Sequence, residues 1–152
     1  MNKAQSCPFV ATNELKGTLA DYLGQWVVLY FYPKDATPGC TQEGRDFRDM
    51  YEDFKGLNCQ IFGISRDSLK AHDKFKANES FPFELISDSE ESLCQAFDVI
   101  KEKNMYGKKV FGIERSTFII APDGSIAHEW RGVKVPLHVK DVYKVLSNLQ
   151  KV

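Results

Sequence analysis

Apolar residues along the chain switch between two periods. Trp26-Val27-Val28-Leu29-Tyr30-Phe31-Tyr32 is an unbroken β-branched and aromatic run, the pattern of a strand covered on both faces in a parallel or mixed sheet. It is expected at the centre of that sheet. After Pro33 to Gly39 the period changes: Phe47, Met50, Tyr51 and Phe54 fall at i, i+3, i+4 and i+7, a stripe that predicts a helix starting near Cys40. Cys59 to Ser65 reads as a second buried strand, and Leu69, His72 and Phe75 share one face of a following helix. A short strand over Phe83 to Ile86 and a helix carrying Leu93 and Phe97 come next. Lys101 to Lys109 (KEKNMYGKK) is a long charged connector, expected as an internal loop. Arg115 to Ala121 and Ser125 to Arg131 flank Pro122-Asp123-Gly124, whose Pro and Gly suit a β-turn, so the segment predicts a hairpin. A last helix turns Val139, Val142, Leu146 and Leu149 inward. Strands alternating with helices in this order imply an α/β protein, a central sheet with helices on both faces and right-handed crossovers.

The length, 152 residues, fits one domain of ordinary size. Leu, Ile, Val and Phe make up about 27% of it, above the level of roughly 20% below which highly charged chains stay disordered. A core of this size needs neither disulfide staples nor a structural metal. The longest apolar run is the seven residues Trp26 to Tyr32, far short of the roughly 20 that cross a bilayer. Met1 to Ser6 lacks the charged-then-apolar pattern of a signal peptide, so a cytoplasmic protein is expected. Lys and Arg total 20 against 21 Asp and Glu, with signs interspersed. That leaves no basic stripe for nucleic acid.

Cysteines stand at 7, 40, 59 and 94, and no pair has the two-residue spacing of a zinc knuckle or a dithiol redox motif. Each is judged by its surroundings. Cys40 follows a buried strand and the turn-rich Pro33-Lys34-Asp35-Ala36-Thr37-Pro38-Gly39 and opens a helix. Free backbone N–H groups and the helix dipole there favour a thiolate. Such a position moves a thiol from about 8.5 toward roughly 3.5–7.5, as a nucleophile requires. The plain alternative is a small apolar residue packed at a helix start.

Pro33-x-x-x-Thr37-x-x-Cys40, within Tyr30-Phe31-Tyr32-Pro33-Lys34-Asp35-Ala36-Thr37-Pro38-Gly39-Cys40-Thr41, resembles the active-site signature of the peroxiredoxins. The flanks resemble the bacterioferritin comigratory protein, or peroxiredoxin Q, branch. Gly112-Ile113-Glu114-Arg115-Ser116-Thr117-Phe118 is similar to that branch's second motif, and the similarity runs from about Gly24 to the C-terminus. The resemblance implies a thioredoxin-like fold with a central mixed sheet. It implies a thiol peroxidase for hydrogen peroxide and organic hydroperoxides, with no metal or organic cofactor. Cys40 then corresponds to the peroxidatic cysteine, Thr37 to the hydroxyl that bonds thiolate and peroxide, Pro33 to the shield of the pocket and Arg115 to the activating cation. The backbone N–H of Cys40 would be a further donor. Glu43, in the first turn of the helix, suits the dipole by itself and is a candidate to orient Arg115. Thioredoxin or a glutathione–glutaredoxin pair is the expected reductant, and a monomer is expected over a dimer.

The chain departs from that branch at both usual places for a resolving cysteine, which here are Arg45 and Lys76. Cys94, beside Leu93 and Phe97, reads as a core residue, and Cys59 lies in a β-rich run. Cys7, before Pro8-Phe9, is expected to be exposed and is the best outside candidate for a resolver. The expected route is nonetheless a one-cysteine cycle in which an outside thiol attacks oxidised Cys40. Missing resolvers also motivate an alternative, a redox sensor or thiol-dependent binding module with negligible turnover. His72, His128 and His138 share no ligand spacing. Cys40 and Arg45 are one residue too close for a cysteine phosphatase loop, and Glu43 between them would repel phosphate.

Overall fold

The computed structural model describes residues 3–151. A short helix, α1 (Lys3–Ser6), precedes strands β1 (Phe9–Ala11) and β2 (Lys16–Gly17) and a 3-10 turn at Leu19–Tyr22. Next come β3 (Trp26–Phe31), α2 (Pro38–Asp49), α3 (Tyr51–Gly56), β4 (Cys59–Ser65), α4 (Leu69–Glu79), β5 (Glu84–Ser87) and α5 (Ser92–Ala96). The chain continues through β6 (Ile100–Met105), β7 (Lys108–Ile113), β8 (Ser116–Ile120) and β9 (Ile126–Arg131) to α6 (His138–Leu149).

Seven strands form one mixed sheet in the order β2-β1-β5-β4-β3-β8-β9. β3, β4 and β5 run parallel, with Trp26 opposite Cys59 and Phe31 opposite Ile64, while β8 lies antiparallel along the other side of β3. The unbroken apolar run therefore sits where expected, in mid-sheet with both faces covered. Alternate side chains feed two cores. One face carries Val27, Leu29, Phe31, Phe62, Ile64 and Phe118 against Leu93, Cys94 and Phe97 of the α5 region. The other carries Val28, Tyr30, Ile61 and Ile119 against Phe47, Phe54, Phe75, Val142 and Leu146 of the helices α2, α3, α4 and α6. Cys40 belongs to this second face.

Three expectations need correction. The single helix expected from Cys40 onward begins at Pro38 and breaks at Met50, whose φ of −106° and ψ of 6° leave the helical region. Phe47 and Phe54 still reach the same core across the break, which is why the stripe reads as continuous. Lys101–Lys109 is not a loop: β6 and β7 form a separate two-stranded antiparallel ribbon, with Met105 opposite Lys108. Its turn is Tyr106-Gly107, at φ 54° and 80°, the paired positive values of a type I′ hairpin that glycine accepts without cost. The third strand of the parallel set runs one residue later than Phe83–Ile86, and β1 and β2 are elements the apolar pattern does not reveal. No helix among the described residues is long and apolar enough to cross a membrane.

Candidate active site

The C-terminal end of β3 delivers the chain into the loop Pro33–Thr37, and α2 begins immediately after it. Thr37 is the N-cap residue, with extended backbone at φ −83° and ψ 155°, and Pro38 takes the first helical position, where its missing N–H costs nothing. The first helical bond runs from Thr41 N to Thr37 O at 2.8 Å. Cys40 thus stands in the first turn, where N–H groups have no partner inside the helix. An N-cap hydroxyl ordinarily accepts one of these bonds. Here it makes no such cap, because Thr37 Oγ1 donates to Lys34 O at 2.8 Å. The Thr37 hydroxyl therefore does not satisfy the first-turn N–H groups.

This corrects one expectation for Thr37. Its hydroxyl proton is committed to the Lys34 carbonyl, not to Cys40, so toward a peroxide Thr37 can act as an acceptor. Pro33 is half-buried at the start of the same loop.

Arg115 arrives from the link between β7 and β8 and completes the cluster. Its Nη2 donates to Cys40 Sγ at 3.3 Å and its Nη1 donates to Glu43 Oε1 at 2.7 Å. One planar fork therefore holds the thiol sulfur and a carboxylate one turn further along α2, a geometry that a lysine point charge cannot reproduce. Cys40 retains 2% of its surface and Glu43 none. Burial pushes Glu43 up to about 7, against the pull of the Arg115 charge and hydrogen bond. Its second oxygen, Oε2, has no hydrogen-bond partner, and neither has the hydroxyl of Tyr30 in the same core.

The loop itself is held by residues that the sequence motif does not single out. Asp35 Oδ1 accepts from the Tyr32 hydroxyl at 2.7 Å, and Asp35 Oδ2 lies 2.6 Å from His72 Nδ1. His72 Nε2 meets the Ile86 carbonyl at 2.9 Å. A carbonyl only accepts, so Nε2 carries a hydrogen and a further proton lies between Nδ1 and Asp35. The Asp35 N–H donates to Asp67 Oδ2 at 2.9 Å, which also accepts from Ser65 Oγ at 2.6 Å. Ligand atoms of Asp35, Asp67 and His72 lie within 4.8 Å of one another, yet each is engaged in these bonds. The cluster is a clamp joining the loop to β4, α4 and β5. In the sequence His72 is legible only as a residue on the buried stripe of a helix, and a titratable group on such a stripe demands a partner.

The remaining cysteines stay apart from Cys40. Cys94 is fully buried in the core on the opposite face of the sheet, and half-buried Cys7 packs against that same core. Cys7 is the most accessible of the four cysteines, as expected, and lies on the face of the sheet opposite Cys40. Cys59 shares the face of Cys40 but sits beside Trp26, at the opposite end of β3 from the loop. Burial pushes its thiol up to about 12.

Residues 3–129 match the AhpC/TSA family model, so the match reaches further toward the N-terminus than Gly24. A peroxiredoxin Bcp of Xanthomonas campestris pv. campestris is 52% identical over 140 residues, spanning 92% of this chain and 88% of its own. The chain belongs to the AhpC/TSA family. Within it this peroxiredoxin falls in the Bcp, or peroxiredoxin Q, branch. The Bacillus subtilis peroxiredoxin Bcp is 49% identical over 144 residues, 91% of this chain and 92% of its own. The X. campestris bacterioferritin comigratory protein, solved in trapped intermediate and ligand complexes that bear on its alkyl peroxide reduction, superposes with a TM-score of 0.95 at 48% identity. That match covers 98% of this chain and 95% of the other. The mixed sheet is accordingly the thioredoxin-like fold of these proteins, and this peroxiredoxin is a thiol-dependent peroxidase, an oxidoreductase. A sensor without turnover is not the reading that such relatives favour.

Proposed function

We propose that Cys40 is the peroxidatic residue of this enzyme, that its substrates are alkyl hydroperoxides and hydrogen peroxide, and that a thiol from outside the chain returns it to the reduced state. The observation that carries the reading is the Arg115 fork, 3.3 Å from Cys40 Sγ and anchored on Glu43. The sulfur of a Cys40 thiolate attacks one peroxide oxygen, an S–O bond forms and the O–O bond breaks. Sulfur is oxidised, and the departing oxygen gathers negative charge. Arg115 and the first-turn N–H of Cys40 are preset donors for that charge, so they stabilise the transition state more than the ground state. The departing alkoxide takes up a proton and leaves as alcohol. Thr37, its hydroxyl hydrogen directed at Lys34 O, accepts from the proton-bearing peroxide oxygen and orients it. Pro33 closes the same side of the loop, and Glu43 positions Arg115.

The separation of the other cysteines from Cys40 supports recycling by an outside thiol. A thiolate of thioredoxin, or of a glutathione–glutaredoxin pair, attacks the sulfenic sulfur, water leaves, and a second thiol resolves the mixed disulfide. A monomer in the cytoplasm suffices for this cycle. Steady-state peroxide consumption with thioredoxin, its reductase and a nicotinamide reductant tests the proposal, with cumene hydroperoxide and hydrogen peroxide compared. Turnover that vanishes in Cys40→Ser is the expected result. Turnover unaffected by that substitution overturns it.

A further inference from the structure

Two acidic groups share one cation in this site. Arg115 hydrogen-bonds both Cys40 Sγ and Glu43 Oε1. If both acids were ionised, the buried cluster would carry a net negative charge, with Glu43 wholly shut off from water. Ionised Glu43 would also leave a carboxylate oxygen, Oε2, bare of donors in the interior. An uncompensated buried anion is far more costly than an unpaired hydroxyl. A proton on Oε2 removes the charge and converts the orphaned oxygen into a neutral one. Among the described residues, the other titratable groups that act on Glu43 or Arg115 offer no second positive charge. Asp46 on α2 raises its proton affinity further. Burial first, then Glu43 and Cys40, hold the Tyr30 hydroxyl well above its ordinary value, so it stays neutral. His138, near Arg115, is pushed down to about 4, chiefly by burial, and is neutral as well.

We propose that Glu43 holds a proton while Cys40 is a thiolate and gives it up as Cys40 becomes a sulfenic acid, so that one guanidinium serves the two anions in turn. Before reaction Arg115 balances the thiolate. The thiolate and ROOH yield the sulfenic acid and RO⁻, and sulfur loses the electron pair that breaks the O–O bond. The sulfenic sulfur is uncharged, so Arg115 becomes free to balance Glu43. The proton that Glu43 releases offsets the one that RO⁻ takes up, and the buried site never carries more than one uncompensated step. The burial that lifts Glu43 to about 7, against the pull of Arg115, is the force that makes its ionisation depend on that guanidinium. Glu43 is thus a positioning residue for Arg115 that also carries the compensating proton.

This inference rests on Cys40 being the peroxidatic residue, and its test separates the two claims. Reduced protein with carbon-13-labelled glutamate is brought to about pH 6, below the lifted value for Glu43. Thiolate absorbance, infrared difference spectra and proton uptake in weakly buffered dye solution are read before and after one equivalent of peroxide, and mass spectrometry of each sample locates the added oxygen. The expected record is an un-ionised carboxyl band in the reduced state that disappears on oxidation and is missing in Glu43→Gln. Wild type should take up almost no protons, and Glu43→Gln about one per Cys40 oxidised. A reduced wild type without that band, a band that survives oxidation, or wild-type proton uptake equal to that of Glu43→Gln overturns the proton exchange while leaving Cys40 as the site. Oxygen found elsewhere than on Cys40 overturns both. The spectra of wild type decide the question even if Glu43→Gln folds poorly.

Discussion

Arg115 and Cys40, 75 positions apart, meet across 3.3 Å with the arginine as donor. The same side chain is anchored on fully buried Glu43, so Arg115→Ala would leave that buried carboxyl without its partner and confuse stability with catalysis. Arg115→Lys keeps the charge and loses the fork. It is expected to fold and to lower the second-order rate constant for oxidation by about 10²-fold, near the range seen for losing one preset transition-state donor. Stopped-flow fluorescence with stoichiometric peroxide measures it. A rate within threefold of wild type would show that the fork geometry is dispensable.

Gly39 offers a gentler probe of the same contact. A Cβ built there comes within 3.3 Å of Arg115 Nη2, the nitrogen that donates to Cys40, so Gly39→Ala must shift the guanidinium by a few tenths of an ångström. Displacements of this order at a reacting group are costly to rate. Gly39→Ala should slow oxidation of Cys40 by about tenfold while the urea midpoint moves little, since Ala is the better helix former. Unchanged kinetics would indicate that Arg115 has room to tolerate the methyl group.

The legible parts of this fold are those where burial imposes a period. β3 is covered on both faces and reads as a continuous apolar run, and α6 shows its stripe because Val139, Val142 and Leu146 are driven into one core. The β6–β7 ribbon reads as a loop because Lys101, Lys103, Lys108 and Lys109 lie outside either core, where no force shapes the pattern. Strands of three and two residues, such as β1 and β2, are too short to show a period. In the site, Cys40, Arg115 and Glu43 are marked by motif and spacing. Thr37 is marked too, but with the wrong hydrogen-bond partner, since hydroxyl direction depends on a local carbonyl. Asp35 and His72 escape the motif because their meaning lies in a contact spanning 37 positions.

That contact carries its own prediction. Asp35 and His72 are both buried and meet across 2.6 Å, and removing His72 leaves Asp35 Oδ2 without that partner. His72→Ala should cost about 3 kcal/mol in chemical denaturation. Because the loop from Pro33 to Thr37 loses its tie to α4 and β5, the KM for peroxide should rise more than kcat falls. A variant that keeps wild-type stability and KM would show that the clamp does not set the loop.

His138 gives the protein a sensitivity to acid. Its ring is bonded to Thr117 Oγ1 at 2.8 Å, and burial pushes it down to about 4 from an ordinary 6.5. Between these values the unfolded chain binds the proton and the folded one does not, so stability falls as pH drops from about 6.5 to about 4. Glu43 works the other way, its raised value giving a contribution present at low pH and lost as pH rises toward 7. Comparing urea midpoints of wild type and His138→Gln at several pH values isolates the histidine. Their stability difference should shift by about 2 kcal/mol in favour of the variant across that interval. A difference independent of pH would mean that His138 titrates alike in both states.

The positions of the cysteines decide the fate of oxidised Cys40. Arg45 and Lys76, at the two sites where this branch keeps a resolver, are engaged with Glu79 at 2.6 Å and Glu84 at 3.4 Å. Arg48 Nη1 also donates to the Glu79 carbonyl, so α2 is fastened to the end of α4 along one side. Cys7 and Cys94 pack beyond the sheet from Cys40, and Cys59 lies at the far end of β3. A disulfide requires Cα atoms no more than about 7 Å apart, and the sheet lies between Cys40 and both Cys7 and Cys94. Stoichiometric peroxide should therefore leave a free sulfenic acid on Cys40, trappable by dimedone, with α2 still folded by amide hydrogen exchange. The waiting sulfenic acid should pass readily to sulfinic acid when peroxide is in excess. Cys7→Ser, Cys59→Ala and Cys94→Ala should each retain oxidation kinetics and trapping yield. Peptide mapping that finds Cys40 joined to any of these cysteines in high yield would overturn the one-cysteine cycle.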